Sequence, residues 1–292
     1  MTDTTKKAHA SAPAQPAKLT PRLNGETIFM DRAECRSLGD ALHDEYVTNK
    51  PFPHIVIDDF LPQDLLHRIL QDFPKREKGR FDDEHSRLKT GYQMEKITSP
   101  LITNLIDALN SSPFLDFLER MTGIKGLITD PHQAGGGLHE TAPGGHLSIH
   151  ADFNMHSHLR TRRRMNLIVF LNEDWQDDYG GELELWETDM SRKAKGVLPV
   201  IGRAVVFNTE SDTYHGHPEP LTCPDGIFRR SLALYYYTVP EEQHLGERSH
   251  STDFRRRPGS TDKRQLRAKL RELAIDLTPP ALYRALKKKG PK

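Results

Sequence analysis

Cysteine is nearly absent from this 292-residue chain, which has only Cys35 and Cys223. That excludes a disulfide-stapled secreted module and leaves both thiols expected to be free. No run approaches the roughly eighteen apolar residues of a membrane span. The first thirty residues also lack the apolar core of a signal peptide, so a cytoplasmic protein without membrane contact is expected. Neither a Gly-x-Gly-x-x-Gly pattern nor a phosphate loop precedes a helix, which argues against a nucleotide-binding α/β fold. No internal repeat is found. What is present, 36% apolar residues in 292, suffices for one large domain or two small ones.

Net charge is zero, with 41 basic and 41 acidic residues, but it is unevenly spread: positions 245–292 hold 14 Lys/Arg against 5 Asp/Glu. A basic tail beside an acidic body reads as a solvated helical extension docked on its own domain, and no nucleic-acid partner is expected. Residues 1–25, rich in Ala, Pro, Lys and Thr, read as a disordered leader. Residues 26–125 follow as a helical support region. Its helices are expected over 37–48, after Pro62 with Leu65, Leu66, Ile69, Leu70 and Phe73 on one face, over Leu101–Leu109, and over Pro113–Met121. A short strand is expected over His54–Asp58.

Beyond Gly123 the texture changes to short β-rich runs punctuated by Gly, Pro, Asn and Asp: 126–130, 145–153, 166–172, 182–187, 203–208 and 229–238. Helices first and closely spaced strands after predict an α+β protein whose core, residues 126–244, is an antiparallel sandwich or barrel. Leu266, Leu270, Leu273 and Leu277, then Leu282 and Leu286 after Pro279-Pro280, predict two C-terminal helices, which offer a surface for an oligomer.

Within the strand-like run Leu147–Phe153, His150 and Asp152 share one face. A second histidine follows at long range in Tyr214-His215-Gly216-His217-Pro218, and then Arg229-Arg230-Ser231 opens another strand. Two histidines and one carboxylate on one side of a metal leave adjacent positions open, which suits non-haem Fe(II) oxygen chemistry. An arginine on a neighbouring strand can anchor the far carboxylate of an acidic cosubstrate, and Ser231, on the same face as Arg229, can donate to it. Strand alternation lets only one of Arg229 and Arg230 face the pocket, and the Arg-x-Ser spacing selects Arg229.

With these residues in place, the segment from about Gly135 to Thr238 resembles the catalytic core of the Fe(II)/2-oxoglutarate dioxygenase superfamily, in its prolyl 4-hydroxylase-like branch. The matching motifs are His150-Ala151-Asp152-Phe153-Asn154, Leu171 to Trp175, Gly180-Gly181-Glu182-Leu183, Val205-Phe207, His215 to Pro218 and Arg229 to Tyr237. The resemblance implies a double-stranded β-helix, a distorted jelly roll flanked by helices. It implies His150, Asp152 and His215 as metal ligands, and Arg229 as the partner of the cosubstrate's C5 carboxylate. His217 is the alternative to His215, which is favoured because the family's distal ligand precedes a Gly and a nearby Pro. Several family members hold the cosubstrate with a Tyr hydroxyl where this chain has Phe170, and Asn166, on the same strand face, is a candidate replacement.

The cofactors implied are Fe(II), with 2-oxoglutarate and dioxygen as cosubstrates and ascorbate as a candidate auxiliary reductant. The activity implied is hydroxylation of an unactivated C–H bond with release of succinate and carbon dioxide. A prolyl residue in a peptide or protein is the leading substrate, and a free amino acid, glycan or small metabolite is the alternative. From other classes, a non-catalytic jelly-roll binding module and a zinc hydrolase compete. Ligand histidines must be neutral, so failure of activity in mild acid is expected.

Overall fold

The structure, a computed structural model, describes residues 16–76, 85–92, 94–242 and 249–262. It opens on a hairpin of β1 (Arg22–Asn24) and β2 (Thr27–Phe29). This corrects the expected disordered leader over residues 16–25. Leu19 is fully buried, and the N–H groups of Lys18 and Leu19 donate to the carbonyls of Asp59 and Phe60. One apolar anchor and a few main-chain hydrogen bonds tie down a segment whose composition is otherwise that of a loose terminus. Residues 1–15 lie outside the described residues.

Helix α1 (Arg32–Thr48) begins five residues before the expected start because the Asp31 carboxylate caps it, accepting from the N–H groups of Ala33 and Glu34. Strand β3 (His54–Ile57) follows, then α2 (Gln63–Gln71), which buries Leu65, Leu66 and Ile69 on one face. Strand β4 (Ser86–Tyr92) was not expected from sequence; its Ser-Arg-Leu-Lys-Thr-Gly-Tyr run shows no apolar alternation. Helix α3 (Pro100–Leu109) starts at Ser99, whose hydroxyl accepts from the N–H of Ile102. Helix α4 (Ser112–Thr122) ends at Gly123 in the left-handed conformation. Helices α1 and α4 pack closely because residue 39 is glycine: a Cβ there would lie 2.6 Å from the Phe117 carbonyl oxygen.

The remaining strands are β5 (Ile128–Thr129), β6 (Gly137–Ala151), β7 (Arg162–Phe170), β8 (Leu183–Trp186), β9 (Lys193–Val197), β10 (Ala204–Asn208), β11 (His215–His217), β12 (Arg229–Thr238) and β13 (Asp253–Phe254). Their main path runs β3-β10-β7-β12-β6-β11-β8-β9. Every pairing between these strands is antiparallel. Strand β6 begins eight residues before its expected start, and it belongs to two sheets. Its first part pairs with β12 (Thr141 opposite Arg229) and its last part with β11 (His150 opposite His215). The crossing falls at Gly144-Gly145, where Gly144 has φ +74° and a Cβ on Gly145 would lie 2.8 Å from the carbonyl oxygens of Ala142 and Arg87. Bending one strand across both sheets folds them face to face into a nearly closed jelly roll, the expected double-stranded β-helix.

Alternation then divides the residues of the first sheet. Leu167, Val169, Ala204, Val206, Leu232, Leu234 and Tyr236 face outward into one apolar core with α3 and α4. Tyr236 anchors that contact by donating its hydroxyl to the Leu109 carbonyl at 2.9 Å. The residues between them, Asn166, Ile168, Arg229, Ser231, Ala233 and Tyr235, face inward and line a cavity of about 250 Å³. The helices thus back one sheet and leave the space between the sheets for chemistry.

The expected basic helical extension, 245–292, is corrected where it is described. Residues 253–254 form β13 on the free edge of β6, Phe254 opposite His150. The Phe254 ring stacks on His85 with centroids 4.5 Å apart. An open strand edge with an aromatic partner captures this segment as a strand, despite its charge. The two predicted C-terminal helices lie outside the described residues. Among the described residues no helix is long and apolar enough to cross a membrane.

Candidate metal centre

Strand β6 carries His150 near its end, Asp152 follows immediately, and β11 brings His215 opposite His150. Among the described residues these three form the one group of His, Cys, Asp or Glu side chains with the spacing of a metal site, one ligand atom from each lying within 4.8 Å of the others. Nε2 of His150 is 3.7 Å from Asp152 Oδ1, and Nε2 of His215 is 3.4 Å from Asp152 Oδ2. Ligand atoms held about 2.1 Å from a shared ion at right angles stand about 3 Å apart, so modest closure completes the shell. Both imidazoles are aimed by their other nitrogen: Nδ1–H of His150 donates to the Ser148 carbonyl at 2.8 Å and that of His215 to Thr213 at 3.2 Å. Those bonds fix the tautomer that leaves each Nε2 with a free lone pair, the state a metal requires. The donor set fits a hard-to-borderline divalent ion such as Fe(II).

Burial pushes His150 down to about 3, assisted by the neighbouring His215, and burial also lowers His215. Burial alone would raise Asp152, but Arg163 and the two imidazoles hold its carboxyl well below the usual carboxylate range. His150 is therefore neutral and Asp152 anionic throughout mild acid, and His215 is shifted in the same direction as His150. Protonation of His150 does not account for the loss of activity expected there. Acid instead acts on the fold. An unfolded imidazole takes up a proton below about pH 6.5 and buried His150 does not until about pH 3, so unfolding binds a proton and stability falls as pH drops from about 6.5 toward 3. His150 contributes up to about 1.4 kcal/mol per pH unit, and the lowered His215 acts in the same direction. Denaturant melts of metal-free protein at pH 7.5, 6 and 5 check this; a midpoint independent of pH would refute it.

Gly216 lies between His215 and His217, and a Cβ there would sit 2.8 Å from the carbonyl oxygens of both Leu147 and Ser148. Gly216→Ala is expected to push β11 off β6, costing on the order of 2 kcal/mol and weakening metal affinity at least tenfold. Thermal melting and a Mn(II) titration measure both; unchanged affinity would show that the register of these strands does not set the site. His217 lines the same cavity and is 3% exposed, with neither ring nitrogen hydrogen-bonded. It falls outside the His150–Asp152–His215 group.

On the wall of the same cavity Arg229 is 6% exposed. Its Nε–H donates to the Gly181 carbonyl at 2.7 Å, and its guanidinium lies 5.0 Å from the Phe170 ring centre. Gly181 makes this possible: with φ +71° it leaves Arg229 Cδ 3.0 Å from where a Cβ would be. No carboxylate pairs with Arg229 among the described residues, and burial pulls its pKa down to about 9. Ser231 is on the same inward face, whereas Arg230 points outward to Glu140 at 2.9 Å, as alternation requires.

Asn166 is placed differently from its expected cosubstrate role. Its amide N–H donates to Asp152 Oδ2 at 2.8 Å and its Oδ1 accepts from Arg163 at 2.6 Å, so both ends serve the carboxylate. Arg163 stands in a run of basic residues, Arg162 to Arg164, that reads as a solvated loop, but it lies on β7, is 1% exposed and pairs with Asp152 at 3.0 Å. Its guanidinium is sandwiched by Tyr235 at 3.5 Å and Phe153 at 4.6 Å. The signal available was period two: Arg163 shares strand phase with neither Arg162 nor Arg164. Lys89 and His139, also on the cavity wall, were missed as a pair because they meet only through the unexpected strand β4.

Comparison with known proteins agrees with this geometry. Residues 136–237 match the 2OG-Fe(II) oxygenase superfamily. No curated protein sequence matches the chain. Among solved structures, a prolyl hydroxylase from Trichoplax adhaerens, in complex with a hypoxia inducible factor oxygen degradation domain peptide fragment, aligns with TM-score 0.50 and 16% identity over 74% of this chain and 96% of that one. A Pseudomonas putida prolyl-4-hydroxylase aligns with TM-score 0.46 and 20% identity over 69% and 99%. HygX from Streptomyces hygroscopicus, with nickel, 2-oxoglutarate and hygromycin B bound, aligns with TM-score 0.46 and 13% identity over 69% and 92%.

Proposed function

We propose, from the premise that residues 136–237 are a 2OG-Fe(II) oxygenase domain, that His150, Asp152 and His215 hold the iron and that Arg229 and Ser231 hold the distal carboxylate of 2-oxoglutarate. The observation that carries this reading is one cavity with two backbone-aimed imidazoles and an arginine-paired carboxylate on its wall, together with Arg229, which has no counter-ion among the described residues. Iron, when bound, supplies the site at which 2-oxoglutarate and dioxygen yield succinate, carbon dioxide and one oxygen atom for a C–H bond. The chain's own groups do the rest. Arg163 and Asn166 orient Asp152, Ser148 and Thr213 orient the imidazoles, and Phe170 with Leu183 keeps the cosubstrate end dry.

A prolyl residue in a peptide is the substrate to which the sequence resemblance points. A small molecule is favoured by one feature: Thr252 and Phe254 of the chain itself line the cavity, and β13 occupies the β6 edge beside His150. That edge is closed to strand addition by a peptide. The cavity's volume of about 250 Å³ lies just below the range of roughly 300 Å³ and upward seen for ligand pockets. Succinate release from Fe(II)-loaded protein, with Pro-containing peptides against a panel of amino acids, sugars and other metabolites, separates the two. Stimulation by peptides supports prolyl hydroxylation, and stimulation by small molecules alone overturns it. A non-catalytic binding module would make no succinate with any of them.

A further inference from the structure

Lys89, on β4, is a buried cation that forms no ion pair among the described residues. Its ammonium donates to Nδ1 of His139 at 2.6 Å, and no carboxylate pairs with it among the described residues. It lines the same cavity as Arg229 and Asp152. A charged ammonium has no lone pair, so His139 must accept at Nδ1 and carry its proton on Nε2. That Nε2 is buried without a hydrogen-bond partner, as are both ring nitrogens of His217 on the same cavity wall. Buried polar groups left unpaired around one cavity mark the place of a missing ligand or water. Burial, with repulsion from Arg229, also draws Lys89 down to about 8, a penalty that an anion beside it would relieve.

The charges in the cavity can be assigned one by one. Arg163 is matched by Asp152. The two carboxylates of 2-oxoglutarate are matched by the metal and by Arg229 in the function proposed above. Lys89 alone forms no ion pair; the carboxylate that attracts it, Asp152, is already shared by Arg163 and the metal site. It also lies outside residues 136–237, the segment matched to the superfamily, which contains every residue proposed for metal and cosubstrate. A cation supplied from outside the shared segment is suited to what differs between members, the substrate.

Resting on the hydroxylase reading, we propose that Lys89, positioned by His139, binds the carboxylate of the substrate, and that the substrate is a small free carboxylic acid such as an amino or hydroxy acid. A prolyl residue inside a peptide chain has no such group to offer.

The test uses the full chain loaded with Mn(II) and 2-oxoglutarate, so that binding is read without turnover. Calorimetry compares a panel of amino and hydroxy acids with their primary amides, L-proline and L-prolinamide among them. At least one acid is expected to bind at least tenfold more tightly than its amide. Lys89→Met is expected to remove that preference while the Kd for 2-oxoglutarate moves less than twofold, and Lys89→Arg is expected to retain it. Three results would overturn the proposal: no acid binds better than its amide, the preference survives Lys89→Met, or Lys89→Met weakens 2-oxoglutarate instead. If the acid preference holds but Fe(II)-loaded protein makes no succinate with the same acids, the hydroxylase reading fails and the Lys89 site stands.

Discussion

Replacing Arg229 with methionine is expected to raise the 2-oxoglutarate concentration needed for half-maximal succinate formation at least 100-fold, about 2.7 kcal/mol, while leaving the metal-free fold as stable as before or more so. The two effects have one cause. Arg229 is 6% exposed and its one polar partner among the described residues is the Gly181 carbonyl, so its charge is carried in the apo protein without compensation. A dicarboxylate that brings its own negative group relieves that burial and forms charge-assisted hydrogen bonds in the same step. Removing an uncompensated buried charge and filling its volume with an apolar chain stabilises folds on the order of 1 kcal/mol or more, partly offset here by the orphaned Gly181 carbonyl. Denaturant melts of the metal-free variant and a cosubstrate titration read the two halves independently. A variant destabilised by several kcal/mol would show that Arg229 serves the fold, and an unchanged titration would remove it from the cosubstrate site.

Asp152→Ala is expected to lose iron and at least 1000-fold in succinate formation, since even partners of ligands are worth 10–100-fold. It carries a second, structural penalty. Arg163 is 1% exposed and pairs with Asp152 at 3.0 Å, so the substitution strands a guanidinium between Tyr235 and Phe153 with no carboxylate among the described residues to balance its charge. Breaking a buried pair from one side costs roughly 3–5 kcal/mol. The Asp152→Ala, Arg163→Met double variant is expected to recover much of the stability and none of the activity. A double-mutant cycle on metal-free protein measures the coupling, and additivity within about 0.5 kcal/mol would show that the pair is not energetically real.

Where the sequence carries strict period two, the site is legible before any coordinates. Alternation alone places His150 with Asp152, sends Arg229 inward and Ser231 after it, and turns Arg230 out to Glu140. The helices are legible from apolar faces and caps, although α1 starts at Arg32 because a single carboxylate, Asp31, satisfies the first N–H groups. The illegible parts depend on contacts between distant segments. Strand β4 has no apolar rhythm of its own and forms because the edge of β6 accepts it; Lys89 enters the cavity only by that pairing. Strand β13 is a strand for the same reason, and the burial that lowers His150 arises only when β6, β11 and β13 close around it. Asn166 sits on the predicted face, yet its direction is set by Arg163, a partner that strand alternation could have supplied but basic clustering obscured.

The most direct test is succinate formation from 2-oxoglutarate under air by protein loaded anaerobically with Fe(II), comparing the wild type with Asp152→Ala. The account predicts iron-dependent succinate from the wild type, stimulated by a substrate from the panel, and none from the variant. Wild-type protein that retains Fe(II) and makes no succinate with any member of the panel, or a variant that turns over as the wild type does, would contradict it.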